Sequence, residues 1–134
     1  MSAGATKAKA IISFTGVATN GNTITITSAD GTQITYIART GNDFANNLFE
    51  AVTSASDAAE NLKDAINHSS GHNGKIVATR NGGFVFLTQA QGGEDGNTVI
   101  QETLNNATAV GGDQITGNRF TGGASSILKQ PFIP

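Results

Sequence analysis

Three features predict an α+β domain, mainly antiparallel β, with about six to seven strands in hairpins packed against one helix around residues 54–68. Threonines alternate with isoleucines at period two in Thr23–Thr27. Gly-containing turn words such as Asp30-Gly31 and Asn81-Gly82-Gly83 separate the apolar runs, and only one stretch carries an apolar stripe at helical spacing. The 134 residues allow one domain with a core large enough to fold without a metal or a disulfide. Seventeen glycines against two prolines fit a turn-rich β protein rather than a disordered one.

Ala10–Val17 reads as the first strand, with Ile12 and Phe14 on one face and Ile11 on the other. Asn20-Gly21-Asn22 supplies a turn, because Asn and Gly tolerate positive φ. Thr23–Thr27 and Gln33–Arg39 then form a hairpin across Ala29-Asp30-Gly31, with Ile24, Ile26, Ile34, Tyr36 and Ala38 on the apolar side. Thr40–Val52 mixes signals and reads as a loop or helical turn leading into a short extended piece around Phe49–Val52.

Ser54–Asn67 is the helix. Ser54 and Asp57 stand at capping-box spacing, and Ala55, Ala58, Ala59, Leu62, Ala65 and Ile66 make one stripe, with Gly71 the expected terminator. Lys75–Arg80 and Phe84–Gln89 form a second hairpin, with Ile76, Ala78, Phe84, Phe86 and Thr88 as its apolar set and the phenylalanines at core positions. Thr98–Leu104 is a further strand, Asn105–Asp113 irregular, and Ile115–Phe120 a last strand before Thr121-Gly122-Gly123. The organisation expected is an N-terminal arm at 1–9, a single β-rich domain at 10–123 and a C-terminal arm at 124–134.

Composition excludes several kinds of chemistry. With no cysteine there is no disulfide, thiol nucleophile, iron–sulfur cluster or cysteine-bound zinc. Ten acidic against eight basic residues, the latter scattered, argue against a nucleic-acid surface. No window has the apolar length of a membrane helix, and the opening residues have no apolar stretch of secretory-signal length, so the expectation is action where the chain is made. His68 and His72 have zinc-helix spacing, but Gly71 falls between them and no third ligand is evident. Glu94-Asp95-Gly96-Asn97 lacks the alternating ligands and terminal Glu of a calcium loop and reads as a polar turn. There is no Gly-x-Ser-x-Gly elbow and no phosphate loop, and the aspartates stand beside Gly or Asn in turns. No catalytic residue, metal or cofactor is assigned.

The order of motifs is more specific than any one of them. Phe14-Thr15-Gly16, Gly21-Asn22-Thr23-Ile24-Thr25-Ile26-Thr27 and Ala29-Asp30-Gly31-Thr32 precede the helix Ser56–Asn67. The strands around Ile76–Ala78 and Phe84–Thr88 follow, then Gly92-Gly93-Glu94-Asp95-Gly96-Asn97-Thr98 and a closing Phe120-Thr121-Gly122-Gly123. This succession, from about Ala10 to Gly123, resembles a small β-rich domain of tailed-bacteriophage virion structural proteins of the head decoration (cement) type.

The resemblance implies a virion part without catalysis. It would be made in the host bacterial cytoplasm, sit on the capsid surface, bind the major capsid protein and stabilise the head as a homo-oligomer, with a trimer favoured. A tail or host-contact protein whose polar Thr and Asn surfaces engage a glycan is the second expectation, and a small glycan hydrolase a distant third. The tail, with Ile127, Leu128, Phe132 and Ile133, is too apolar for a free end and is expected to pack on its own domain or on a neighbour. Those four side chains are the expected partner contacts, and the edge of the first strand is an expected pairing surface.

Overall fold

The structure is a computed structural model and describes residues 5–125. One four-stranded sheet contains β1 (Lys9–Phe14), β5 (Ile76–Asn81), β6 (Phe84–Gln89) and β8 (Ala107–Gly111), in the order β5-β6-β1-β8, antiparallel throughout. The other contains β2 (Thr23–Thr27), β3 (Gln33–Arg39), β4 (Leu48–Glu50) and β7 (Gln101–Glu102), in the order β4-β3-β2-β7. Only the β3–β4 pair is parallel. The single helix among the described residues, α1 (Ala55–Asn67), packs on β5, β6, β1 and β4. This is the mainly antiparallel α+β architecture that the alternation and the helical stripe predict.

Alternation decides the core. Ala10, Ile12 and Phe14 of β1, Val85 and Leu87 of β6, and Ile76 and Ala78 of β5 turn inward. They meet Ile24, Ile26, Tyr36, Ala38 and Phe49 of the second sheet and the Ala58, Ala59, Leu62, Ala65, Ile66 stripe of α1. Each fully buried Leu or Ile contributes roughly 1.5–3 kcal/mol over leaving it in water. The alanines of the stripe let the helix axis lie close to the strands.

Polar side chains of α1 fasten it to both sheets. The Asp57 N–H donates to Ser54 Oγ (3.1 Å), capping the helix start. At the free edge of β5, Asn67 Nδ2 donates to the Ala78 carbonyl (2.8 Å) and Asn67 Oδ1 accepts from the Ala78 N–H (3.1 Å). Asn61 Nδ2 donates to the Glu50 carbonyl on β4 (3.0 Å), and Glu60 pairs with Arg80 (2.9 Å). The opposite side is closed by the segment after β8. Gly117 bridges Val110, Ile100 N–H donates to the Asn118 carbonyl, and Phe120 N–H donates to the Thr98 carbonyl, with the Phe120 ring fully buried.

Several expectations are corrected. β1 lies between β6 and β8, so its edges are occupied and it offers no pairing surface. Phe84 and Phe86 are not core residues: Val85 and Leu87 take the inward row. Residues 107–111, expected to be irregular, form β8, whereas Ile115–Phe120 makes only isolated bridges and leaves Ile115 on the surface. Gly71 is no left-handed cap. The helix ends at an extended His68, and Gly71 is required because a Cβ there would strike the Ala65 and Ile66 carbonyls. Among the described residues Ala8 is buried as well, and Thr6 pairs with Ala124.

The last two resemblance motifs dock on each other. Asn97 Nδ2 donates to the Gly123 carbonyl (3.0 Å), and the Gly123 N–H donates back to Asn97 Oδ1 (2.8 Å). A Cβ on Gly123 would meet the Gly93 carbonyl, so these distant sequence positions share one constraint.

Candidate functional site

Two arrangements on this scaffold invite a functional reading. The first is polar. Asp30, in the β2–β3 turn, receives Ser28 Oγ, the Thr32 N–H (3.1 Å) and Lys75 Nζ (3.1 Å), and these donors hold its carboxyl well below the usual carboxylate range. Behind it His72 is fully buried, with Nδ1 2.7 Å from the Tyr36 hydroxyl and Nε2 3.0 Å from the Thr32 carbonyl. A carbonyl only accepts, so Nε2 carries the proton and Nδ1 accepts from Tyr36. Burial pushes the His72 pKa down and the Tyr36 pKa up.

The adjoining cavity is about 130 Å³ and is lined by Ser28, Ala29, Asp30, Gly74, Lys75, Ala90 and Gln91. Neither Tyr36 nor His72 reaches it. The network therefore ties the β2–β3 turn to the 72–75 loop, with both His72 ring nitrogens already engaged. His68 makes separate contacts, accepting from the Ser70 N–H (3.1 Å) and packing on Phe44. Among the described residues no three His, Asp or Glu side chains gather as a metal site would require. Glu94–Gly96 is a single 3-10 turn.

The second arrangement is apolar. The outward rows of the β5-β6-β1-β8 sheet bring together side chains from four strands. Ile11 stands opposite Phe86 on one side and Val110 on the other, and Ser13 lies between Phe84 and Thr108. Val77 and Thr79 extend the face along β5. The Phe84 and Phe86 rings lie side by side, 6.3 Å between centroids, and remain 48% and 38% exposed. With Ile11, Ser13, Thr108, Val110 and Gln114 they line an open groove of about 360 Å³. Lys9, at one end, is the only charged residue on these outward rows.

The outer face of the other sheet has a different character. Thr23, Thr25 and Thr27 stand in a row there, with Thr25 Oγ1 2.8 Å from Thr35 Oγ1 and Thr23 Oγ1 3.4 Å from Thr103 Oγ1. One sheet thus presents hydroxyls to solvent, and the other aromatic and aliphatic surface. A contiguous apolar patch on a folded domain marks an interaction site, because burying each such ring stabilises a contact by roughly 1.5–3 kcal/mol.

Sequence reasoning placed the partner contacts at Ile127, Leu128, Phe132 and Ile133, which lie outside the described residues. It missed the sheet face, although a signal was present. Phe84-Val85-Phe86-Leu87 is apolar on both alternating rows, the pattern of a strand covered on both sides, and the fold covers only one. No helix among the described residues is long and apolar enough to cross a membrane. No protein-family model matches the chain, and no curated protein or solved structure is significantly similar to it.

Proposed function

We propose that this chain is a bacteriophage capsid decoration (cement) protein that binds the outer surface of the major capsid protein and stabilises the head. The observation that carries the reading is the open Phe84–Phe86 face, nearly free of charge, on a sheet whose β1 is paired on both sides. Such a surface supports adhesion, not turnover, and the motif order that resembles virion domains supplies the setting. Many symmetry-related copies turn modest individual contacts into strong overall attachment. The apolar residues Ile127, Leu128, Phe132 and Ile133 add to the adhesive surface in this reading.

Deleting the gene from its phage and heating or osmotically shocking the particles tests the proposal. Heads without the protein should fail at lower temperature, and purified protein added back should bind saturably and restore resistance. Particles equally robust without it would overturn the cement role.

The threonine face favours a second reading, a tail or host-contact protein whose hydroxyl row engages a glycan. Immunogold labelling of virions separates the two, since label on the tail supports the second and label on the head the first.

A further inference from the structure

We infer that the groove between Ile11, Phe84, Phe86 and Val110 receives residues 126–134 of a second copy of this chain. Copies would then join tail to face into a closed ring. The inference adds to the decoration proposal without resting on it, because it concerns contacts between copies of the purified protein.

Four observations select this occupant. First, backbone groups along three of the sheet edges already have partners. Asn67 holds the Ala78 edge of β5, Asn42 and Asn61 hold Glu50 of β4, and the segment around Asn118 covers β8. These edges leave a strand little room, whereas the face is open.

Second, area argues against two such faces stacked alone. Four strands about 4.8 Å apart, each presenting about five residues at ~3.3 Å, give a footprint of roughly 300 Å². That is well short of the ~800 Å² per partner of a standard interface. A segment of chain laid in the groove touches both walls and adds area that a flat face cannot.

Third, residues 126–134 have the right chemistry. Ile127, Leu128, Phe132 and Ile133 match an apolar groove, and Lys129 is their only charged neighbour. Pro131 and Pro134 lack the N–H that edge addition needs, which suits docking on a face.

Fourth, the chain leaves in the wrong direction to cover its own face. Thr121 pairs with Lys9 and Ala124 with Thr6, so this segment runs antiparallel to β1 and away from Ile11 and Ser13. Ile11 lies about 17 Å behind Thr6 along the strand. Nine residues span up to about 30 Å, enough to reach a neighbour. A tail-to-face contact is heterologous, and closed rings are how such contacts saturate.

Complementation in full-length protein tests this. Phe86→Asp disables the face, and Leu128→Asp with Phe132→Asp disables the tail. Circular dichroism confirms folding, and Phe84→Ser replaces Phe86→Asp if the latter unfolds. Sedimentation should find the unaltered chain assembled and each variant monomeric, with association about a hundredfold weaker. Mixing the two variants should restore a one-to-one heterodimer, because each carries the half the other lacks, and that dimer should grow no further. A monomeric unaltered chain, assembly that survives the tail substitutions, or a mixture that stays monomeric would each overturn the inference.

Discussion

Acidification tests the buried polar seam most directly. His72 is satisfied only as a neutral imidazole, with Nε2–H donating to the Thr32 carbonyl and Nδ1 accepting from Tyr36. Protonating Nδ1 would leave the Tyr36 hydroxyl without its acceptor. Burial holds the pKa below its ordinary 6.5, offset in part by the Thr32 carbonyl and the Asp30 carboxylate and reinforced by Lys75. Below pH 6.5 the unfolded chain therefore binds a proton that the folded chain refuses. Stability is full above pH 6.5 and is lost as pH falls through 6.5 toward the folded value, then levels off once both states are protonated.

The limiting slope is about 1.4 kcal/mol per pH unit, and it applies below pH 6.5 for as long as the folded ring stays neutral. Asp30, Glu60 and Asp113 are held below their ordinary values by hydrogen-bond donors, so they titrate beneath this window. Urea titrations at half-unit intervals of pH measure the effect. His72→Gln should start about 1–3 kcal/mol lower at pH 8, from the lost pairing, and show a flatter profile down to pH 5. Parallel profiles for the two proteins would refute the argument.

Three further outcomes are expected. Asn67→Ala frees both backbone groups of Ala78 and should cost about 1–2 kcal/mol in urea unfolding, with faster aggregation on warming as the β5 edge opens. Ser54→Ala removes the cap on the Asp57 N–H and should cost about 1 kcal/mol, while Ser54→Asp should largely preserve stability. Glu102 lies on the inward row of β7 with Oε1 buried and unpaired among the described residues, and burial pushes its carboxyl up. Its neutral form is favoured in the fold, so stability is lost as pH rises through the folded value. Glu102→Gln should therefore stabilise slightly at pH 7, solvent screening keeping the gain small, and have little effect at pH 4, read from urea midpoints.

What the sequence disclosed and withheld has a common physical basis. The β2–β3 hairpin was legible because Ile24 and Ile26 are large on one row while threonines fill the other, so size and polarity point the same way. Helix α1 was legible for the same reason, its polar face being unbroken. β8 was not, because Ala107 and Ala109 face the core while the larger Val110 faces out, which inverts the expected contrast. Phe84 and Phe86 misled for a related reason: both rows of β6 are apolar, and the larger residues sit on the solvent side. Gly71 and Gly123 were recognisable as special, but their reason is tertiary, the approach of the Ala65 and Gly93 carbonyls. The apolar groove is likewise an assembly of β1, β6 and β8, and no single segment encodes it.

Partly occupied edges and one open apolar face have a consequence for assembly. A strand added to a sheet edge exposes a new edge, so edge pairing is open-ended and tends toward fibres. A groove bounded by Ile11, Phe84, Phe86 and Val110 is filled by one occupant, and a ring of such contacts that closes leaves no groove open. The side chains that close the edges, Asn67 on β5 and Asn42 and Asn61 on β4, come from α1 and the loop before β4. The residues that stabilise the monomer are thus the same ones that restrict it to saturable contacts. The decoration role proposed above would need that restriction, since such a protein must occupy a fixed number of sites at high concentration without polymerising between them. Opening the β5 edge through Asn67 should accordingly convert saturable association into progressive aggregation before it abolishes folding.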